Sequence, residues 1–249
     1  MRKLNLLVIS LSLTLILPFC RPSFQPVGVK YADYRIQNGV APKPEMQQLL
    51  QPYADSVNRT MNDVIAVTAT ALDKKQPEGT LGNLIADAML FKAREVYKVN
   101  VDAAFVNYGG IRLPSIPAGN ITRGKIFELS PFDNQIVLIT MNGASFQAFL
   151  DHVAGRGGWP CAGLQLKLKN KKAVDVLVGG KSLNASANYT IALPDYVANG
   201  GDEANMLKSM PQQNNGYLLR DAVISYCSEF QKRGEKIVVN LQNRITNAE

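Results

Sequence analysis

Between Lys43 and Asn62 apolar residues recur at helical spacing, at Met46, Leu49, Leu50, Tyr53, Val57 and Met61, with Pro52 among them. This spacing predicts a kinked helix leading into a domain, its apolar face buried against that domain or a partner. Val64 to Thr70 is rich in β-branched residues and predicts a strand. Thr80 reads as the N-cap of a helix from Leu81 to about Tyr97, with Leu84, Ile85, Ala88, Met89 and Val96 on its buried side. Val101 to Val106 is a second apolar strand, and Thr122 caps a short helix through Leu129. Gln135 to Met141 predicts a strand and Ala144 to Ala154 a helix, while Leu164 to Leu168 and Val174 to Val178 alternate like an antiparallel pair. A strand around Ile191 runs into Pro194; beyond Asp202 come a short helix and an amphipathic one from Tyr217 to Phe230. Strands and helices mix without a steady βαβ rhythm, which predicts a single α+β domain.

Two of these strands end alike. The segment I-A-L-P-D-Y-V-A-N-G-G-D from Ile191 passes from strand to proline, aromatic ring, glycine pair and carboxylate. Gly200 and Gly201 permit a bend sharp enough to return Asp202 beside Tyr196. The strand ending at Val106 runs into N-Y-G-G-I-R, Asn107 to Arg112. On their own, these residues also fit a strand, a turn and a helix capped by Asp202, with Tyr196 as rim packing.

The first 20 residues carry Arg2 and Lys3, then the mostly apolar run Leu4 to Leu17, then Pro18, the layout of a bacterial secretory signal. L-P-F-C at Leu17 to Cys20 leaves two outcomes open, lipidation of Cys20 or ordinary cleavage nearby. Residues 21–42 then read as an exposed tether and 43–249 as the domain. The formal net charge of +7 falls to +5 once Arg2 and Lys3 leave with the signal, and it is spread along the chain. No basic run interleaves with aromatics, which argues against nucleic acid and is compatible with a small anionic ligand. Cys161 and Cys227 match no metal spacing. Export permits a disulfide between them, with two separately buried thiols the favoured reading.

His152 is the one histidine in the sequence. A dinuclear hydrolytic centre needs several His and Asp ligands, which one histidine does not supply. There is no G-x-S-x-G elbow for a serine triad and no Walker loop. The residues that stand out belong to binding rather than bond cleavage.

An ordered set of motifs extends this reading: E-G-T-L-G-N-L-I-A-D-A-M from Glu78, N-Y-G-G-I-R from Asn107, G-N-I-T from Gly119, S-P-F-D-N from Ser130 and L-P-D-Y-V-A-N-G-G-D from Leu193. Together they resemble the C-terminal, substrate-binding domain of the exported 5′-nucleotidases and UDP-sugar hydrolases, from Val64 to about Phe230. The helix from Lys43 resembles that family's interdomain linker. The resemblance implies a mixed α/β domain that grips the nucleoside, whereas catalysis in the family belongs to an N-terminal metallophosphatase domain with two metal ions. Carried over by motif position, Phe132 and Tyr196 sandwich the base, Asn107 hydrogen-bonds near it, Arg112 reaches ribose or phosphate oxygens and Asp202 accepts from ribose hydroxyls. Asn134 matches a ligand contact of some members, and Lys75 falls where the family tends to place an arginine. The chain departs from the family at Tyr196, where phenylalanine is usual, and at Tyr108, which replaces a glycine.

Two functions follow from the resemblance. One is the substrate-binding half of a split 5′-nucleotidase, with no cofactor of its own and completed by a separate exported metallophosphatase that carries the divalent metal. The other is a non-enzymatic exported nucleoside or nucleotide binder. Neither involves a membrane except through a lipid on Cys20.

Overall fold

The computed structural model describes residues 28, 30–32, 41 and 43–248. The expected export signal lies outside the described residues, as does most of the tether. Chain contacts divide the molecule into two units, 1–47 and 48–249. Of the first, the described part amounts to isolated positions and the opening of helix α1, Pro44–Met61. The second unit holds the rest.

α1 is helical through Pro52, yet none of its residues is buried. Leu49, Leu50, Tyr53 and Val57 are all more than half exposed. The helix is therefore as expected, whereas its apolar stripe is not covered by the domain, because helical spacing specifies a face and not the surface that meets it.

A five-stranded mixed sheet organises the domain, in the order β12 (Gln212–Leu218), β6 (Gln135–Asn142), β11 (Asn188–Pro194), β3 (Ala103–Phe105), β7 (Cys161–Ala162). β11 runs parallel to β3 and antiparallel to β6. Period-2 alternation sends successive residues to opposite faces, so the inner strands carry consecutive apolar residues through their buried stretches, 136–139 and 191–193. Ala104, Ile136, Leu138 and Ala192 join a core with α2 (Thr80–Tyr97), α3 (Arg123–Leu129), α6 (Leu219–Lys232) and the β1–β5 pair (Val64–Thr68 with Gly119–Thr122). Ala103, Phe105, Val137, Ile139, Ile191 and Leu193 join the other, with α4 (Gly143–Gly155). That second core is closed by a smaller sheet of β10 (Lys181–Ser182), β9 (Lys172–Val178), β8 (Leu164–Lys169) and β13 (Ile245–Asn247). A two-residue pair, β2 (Leu72–Asp73) with β4 (Ser115–Ile116), completes the strands named here. The domain is the α+β architecture expected, with helices on both faces of a mixed sheet and no regular βαβ alternation.

Two expectations are corrected by the backbone. Gln212 to Leu218 is an edge strand paired with β6, and α6 begins only at Leu219; its polar residues hid a strand held by main-chain bonds. Beyond Gly200 there is no helix capped by Asp202 but two short 3₁₀ turns, Gly201–Glu203 and Asn205–Leu207. Cys161 and Cys227 are free, and burial pushes each thiol up to about 12.

Candidate functional site

Strand direction decides where the site lies. Because β3 and β11 are parallel, their carboxyl ends emerge on the same side of the sheet, and antiparallel β6 begins there, with Ile136 opposite Pro194. The loops Asn107–Arg112, Ser130–Asn134 and Asp195–Asp202 therefore converge at one sheet end. They form a cleft of about 260 Å³ lined by Asn107, Gly109, Gly110, Arg112, Phe132, Asn134, Tyr196 and Asp202. Six of the seven residues singled out from the sequence line this one cavity. Lys75 does not; it is exposed. Its neighbour Lys74 approaches instead, bonding the Ile111 carbonyl at 2.8 Å and lying 4.0 Å above the Tyr108 ring. Partial burial, and then the nearby Arg112, lower the Lys74 pKa.

The polar side of the cleft is cross-linked. Asn107, at 4% exposure, donates from Nδ2 to Asp202 Oδ2 at 2.7 Å. The Tyr196 hydroxyl donates to Asp202 Oδ1 at 3.2 Å, and the Asp202 amide reaches the same hydroxyl at 3.3 Å. The glycine pair thus brings ring and carboxylate together as the sequence indicated: Gly200 is left-handed at φ +90°, and a Cβ on Gly201 would lie 2.4 Å from the Tyr196 ring. Asp202 and Glu203 follow at φ 49° and 63°, a conformation that costs non-glycine residues about 1–3 kcal/mol each and persists where surrounding contacts hold it. Since a carboxylate only accepts, Asn107 must present Nδ2 to Asp202, which leaves its Oδ1 buried without a donor among the described residues.

The aromatic side is open. Phe132 and Tyr196 are 43% and 47% exposed, although hydrogen bonds pin the turns that carry them. The Arg112 guanidinium carbon lies 5.6 Å above the Phe132 ring centroid, a spacing suited to cation–π attraction. It forms no ion pair among the described residues.

Three supporting residues were not singled out from the sequence for this role. Buried Arg220 on α6 bonds the Phe132 carbonyl at 3.3 Å and Asp133 at 2.6 Å while stacking 4.2 Å above Phe127, and so fixes the Ser130–Asn134 loop. Asp195 accepts from the Gln135 and Tyr196 amides at 3.1 and 2.8 Å, tying the β11 exit to the β6 entry. His152 Nε2 bonds the Asp202 carbonyl at 3.0 Å. Asp195 has a local signal, a carboxylate opening the one-turn helix α5 (Asp195–Ala198); Arg220 lies 88 residues from Phe132 and has none.

A larger cleft of about 600 Å³ runs along β8, β9 and β10, lined by side chains such as Gln165, Leu166, Val176 and Leu183. It has no aromatic ring, and its Lys167 is joined to Asp175 at 2.9 Å. Size alone does not make it the better site for a planar ligand.

Comparisons with known proteins identify the family. The family model for the 5′-nucleotidase C-terminal domain matches residues 56–209, more than half of the chain, and the chain belongs to that family. It is 27% identical to a 5′-nucleotidase of Vibrio parahaemolyticus over 231 residues, covering 85% of this chain and 40% of the relative. Among solved structures, the 5′-nucleotidase precursor of Thermus thermophilus matches with a TM-score of 0.71 at 29% identity, over 84% of this chain and 44% of that one. The NAD nucleotidase of Haemophilus influenzae shares the fold, with a TM-score of 0.62 at 17% identity over 83% and 42%. The chain spans less than half the length of each.

Proposed function

We propose that this chain is the nucleoside- or nucleotide-binding component of a split 5′-nucleotidase, in which a separate exported metallophosphatase hydrolyses the phosphate ester. One observation carries the reading: a single small cleft holds two half-exposed rings, a cross-linked carboxylate and an arginine without an ion-pair partner among the described residues. Phe132 and Tyr196 sandwich the base, a contact that contributes about 1–3 kcal/mol per base and tolerates different bases. Asp202 accepts from the ribose hydroxyls while Asn107 and Tyr196 hold it in place. Arg112 meets ribose or phosphate oxygens with charge-assisted bonds, and Asn134 and the buried Asn107 Oδ1 take contacts near the base. Lys75, exposed and outside the cleft lining, meets phosphate as a point charge.

Among the described residues no group of three or more His, Cys, Asp or Glu side chains is placed to hold a metal ion. In the split arrangement the divalent metal belongs to the partner. Export of this chain follows from the Arg2–Leu17 pattern; among the described residues no helix is long and apolar enough to cross a membrane.

The test is to titrate the purified chain with adenosine and AMP, then assay phosphate release with and without an exported metallophosphatase and divalent metal. Binding without turnover, and a partner rate that rises on mixing and loses that gain with Arg112→Ala, is the expected result. Metal-dependent turnover by the isolated chain would overturn the split arrangement. Binding with no effect on any such phosphatase would leave the chain as a stand-alone binder.

A further inference from the structure

We propose that His152 is a positioning residue for this cleft, holding Asp202 in the backbone conformation that presents its carboxylate to the ligand; the ligand arm of the argument rests on the nucleoside reading above. The geometry is a lever from core to rim. Helix α4 is anchored by Phe146, Phe149, Leu150 and Val153, all fully buried, and carries His152 in its last turn. The imidazole stands edge-to-face on buried Trp159, with centroids 5.6 Å apart and planes at 87°. That packing leaves Nε2 on the Asp202 carbonyl at 3.0 Å. A carbonyl only accepts, so Nε2 carries the proton whichever state the ring adopts.

Asp202 is thereby gripped at every polar group: its carbonyl by His152, its amide by the Tyr196 hydroxyl, and its two carboxylate oxygens by Asn107 and Tyr196. The His152 contact comes from outside the three cleft loops. One turn further along the chain from His152, Arg156 reaches the Glu203 carboxylate at 2.9 Å, so two side chains at one helix end meet both residues of the left-handed pair. Without the bond to its carbonyl, the peptide after Asp202 is free to relax toward the ordinary right-handed region, which turns the carboxylate away from Asn107.

Two variants separate this role from simple packing. His152→Phe keeps a ring against Trp159 and removes the donor, whereas His152→Gln offers an amide donor at the Nε2 position. In the ligand-free protein, backbone chemical shifts of Asp202 read its conformation directly. The expected result is loss of the left-handed signature in His152→Phe and its retention in His152→Gln. With ligand, His152→Phe should weaken adenosine about fivefold to tenfold, the scale of one hydrogen bond, and leave 2′,3′-dideoxyadenosine unchanged. In an Asp202→Asn background it should add nothing. Unchanged Asp202 shifts in His152→Phe, or equal losses for both nucleosides accompanied by a lowered Tm, would overturn the proposal. If the wild-type chain binds no nucleoside while the shifts behave as stated, the positioning role stands and the nucleoside reading falls.

Discussion

At the sheet end Asp202 is bonded to Asn107 across loops and to Tyr196 within its own, and the Phe132 carbonyl is held by Arg220 behind it; along α1 an equally regular apolar stripe has no buried member. The two regions differ in how many constraints act on each residue. Periodicity on α1 fixes a helix and a face, whereas at the cleft strand direction, turn chemistry and side-chain bonding act on the same few positions. Where those constraints coincide, side-chain placement follows from sequence; where only one acts, conformation follows and surroundings do not.

The largest effect that sharpens this contrast is on stability. Leu138→Ala, in the strand shared by both faces of the sheet, should cost about 2–5 kcal/mol in urea unfolding. Leu50→Ala on α1 should stay within about 0.5 kcal/mol, since its side chain is already more than half exposed. A loss comparable to that of Leu138 would mean that the α1 stripe is covered in solution.

A smaller effect separates the cleft from α1 by function. Tyr196→Ala should weaken adenosine binding by about 1–3 kcal/mol in calorimetric titration, whereas Tyr53→Ala, an aromatic loss on α1, should leave it unchanged. Equal losses at the two positions would remove the distinction between them.

The smallest concerns pH. Burial and then Arg156 lower the His152 pKa below its ordinary 6.5, against the opposing pull of the Asp202 carbonyl and the Glu203 and Asp202 carboxylates. A histidine depressed on folding contributes stability that is complete above about 6.5 and is lost as pH falls through the folded value. The Tm of the wild-type chain should therefore decline from pH 7 to pH 5 more steeply than that of His152→Gln. Parallel curves would contradict this assignment.

Much of this was legible in the residues themselves. The order N-Y-G-G-I-R, S-P-F-D-N, L-P-D-Y-V-A-N-G-G-D, taken with the family resemblance, singled out Asn107, Arg112, Phe132, Asn134, Tyr196 and Asp202, which line one cleft because each sits within a few residues of a strand terminus. Lys75 missed the lining by position, with Lys74 turned toward Tyr108. β12 escaped because Gln212 to Leu218 is stabilised by main-chain pairing at a sheet edge and shows no apolar alternation. Arg220 and His152 escaped for a different reason. Their contacts join residues 88 and 50 positions apart, and no local pattern records such a pairing.

Titration with adenosine followed by NMR reads, residue by residue, whether the sheet-end cleft is the nucleoside site. Addition of adenosine should shift the ring resonances of Phe132 and Tyr196 and the side-chain amide of Asn107, with α1 and the β8–β10 cleft unmoved. Shifts confined to Gln165, Val176 and Leu183 in that larger cleft, with the Phe132 and Tyr196 rings silent, would contradict that assignment.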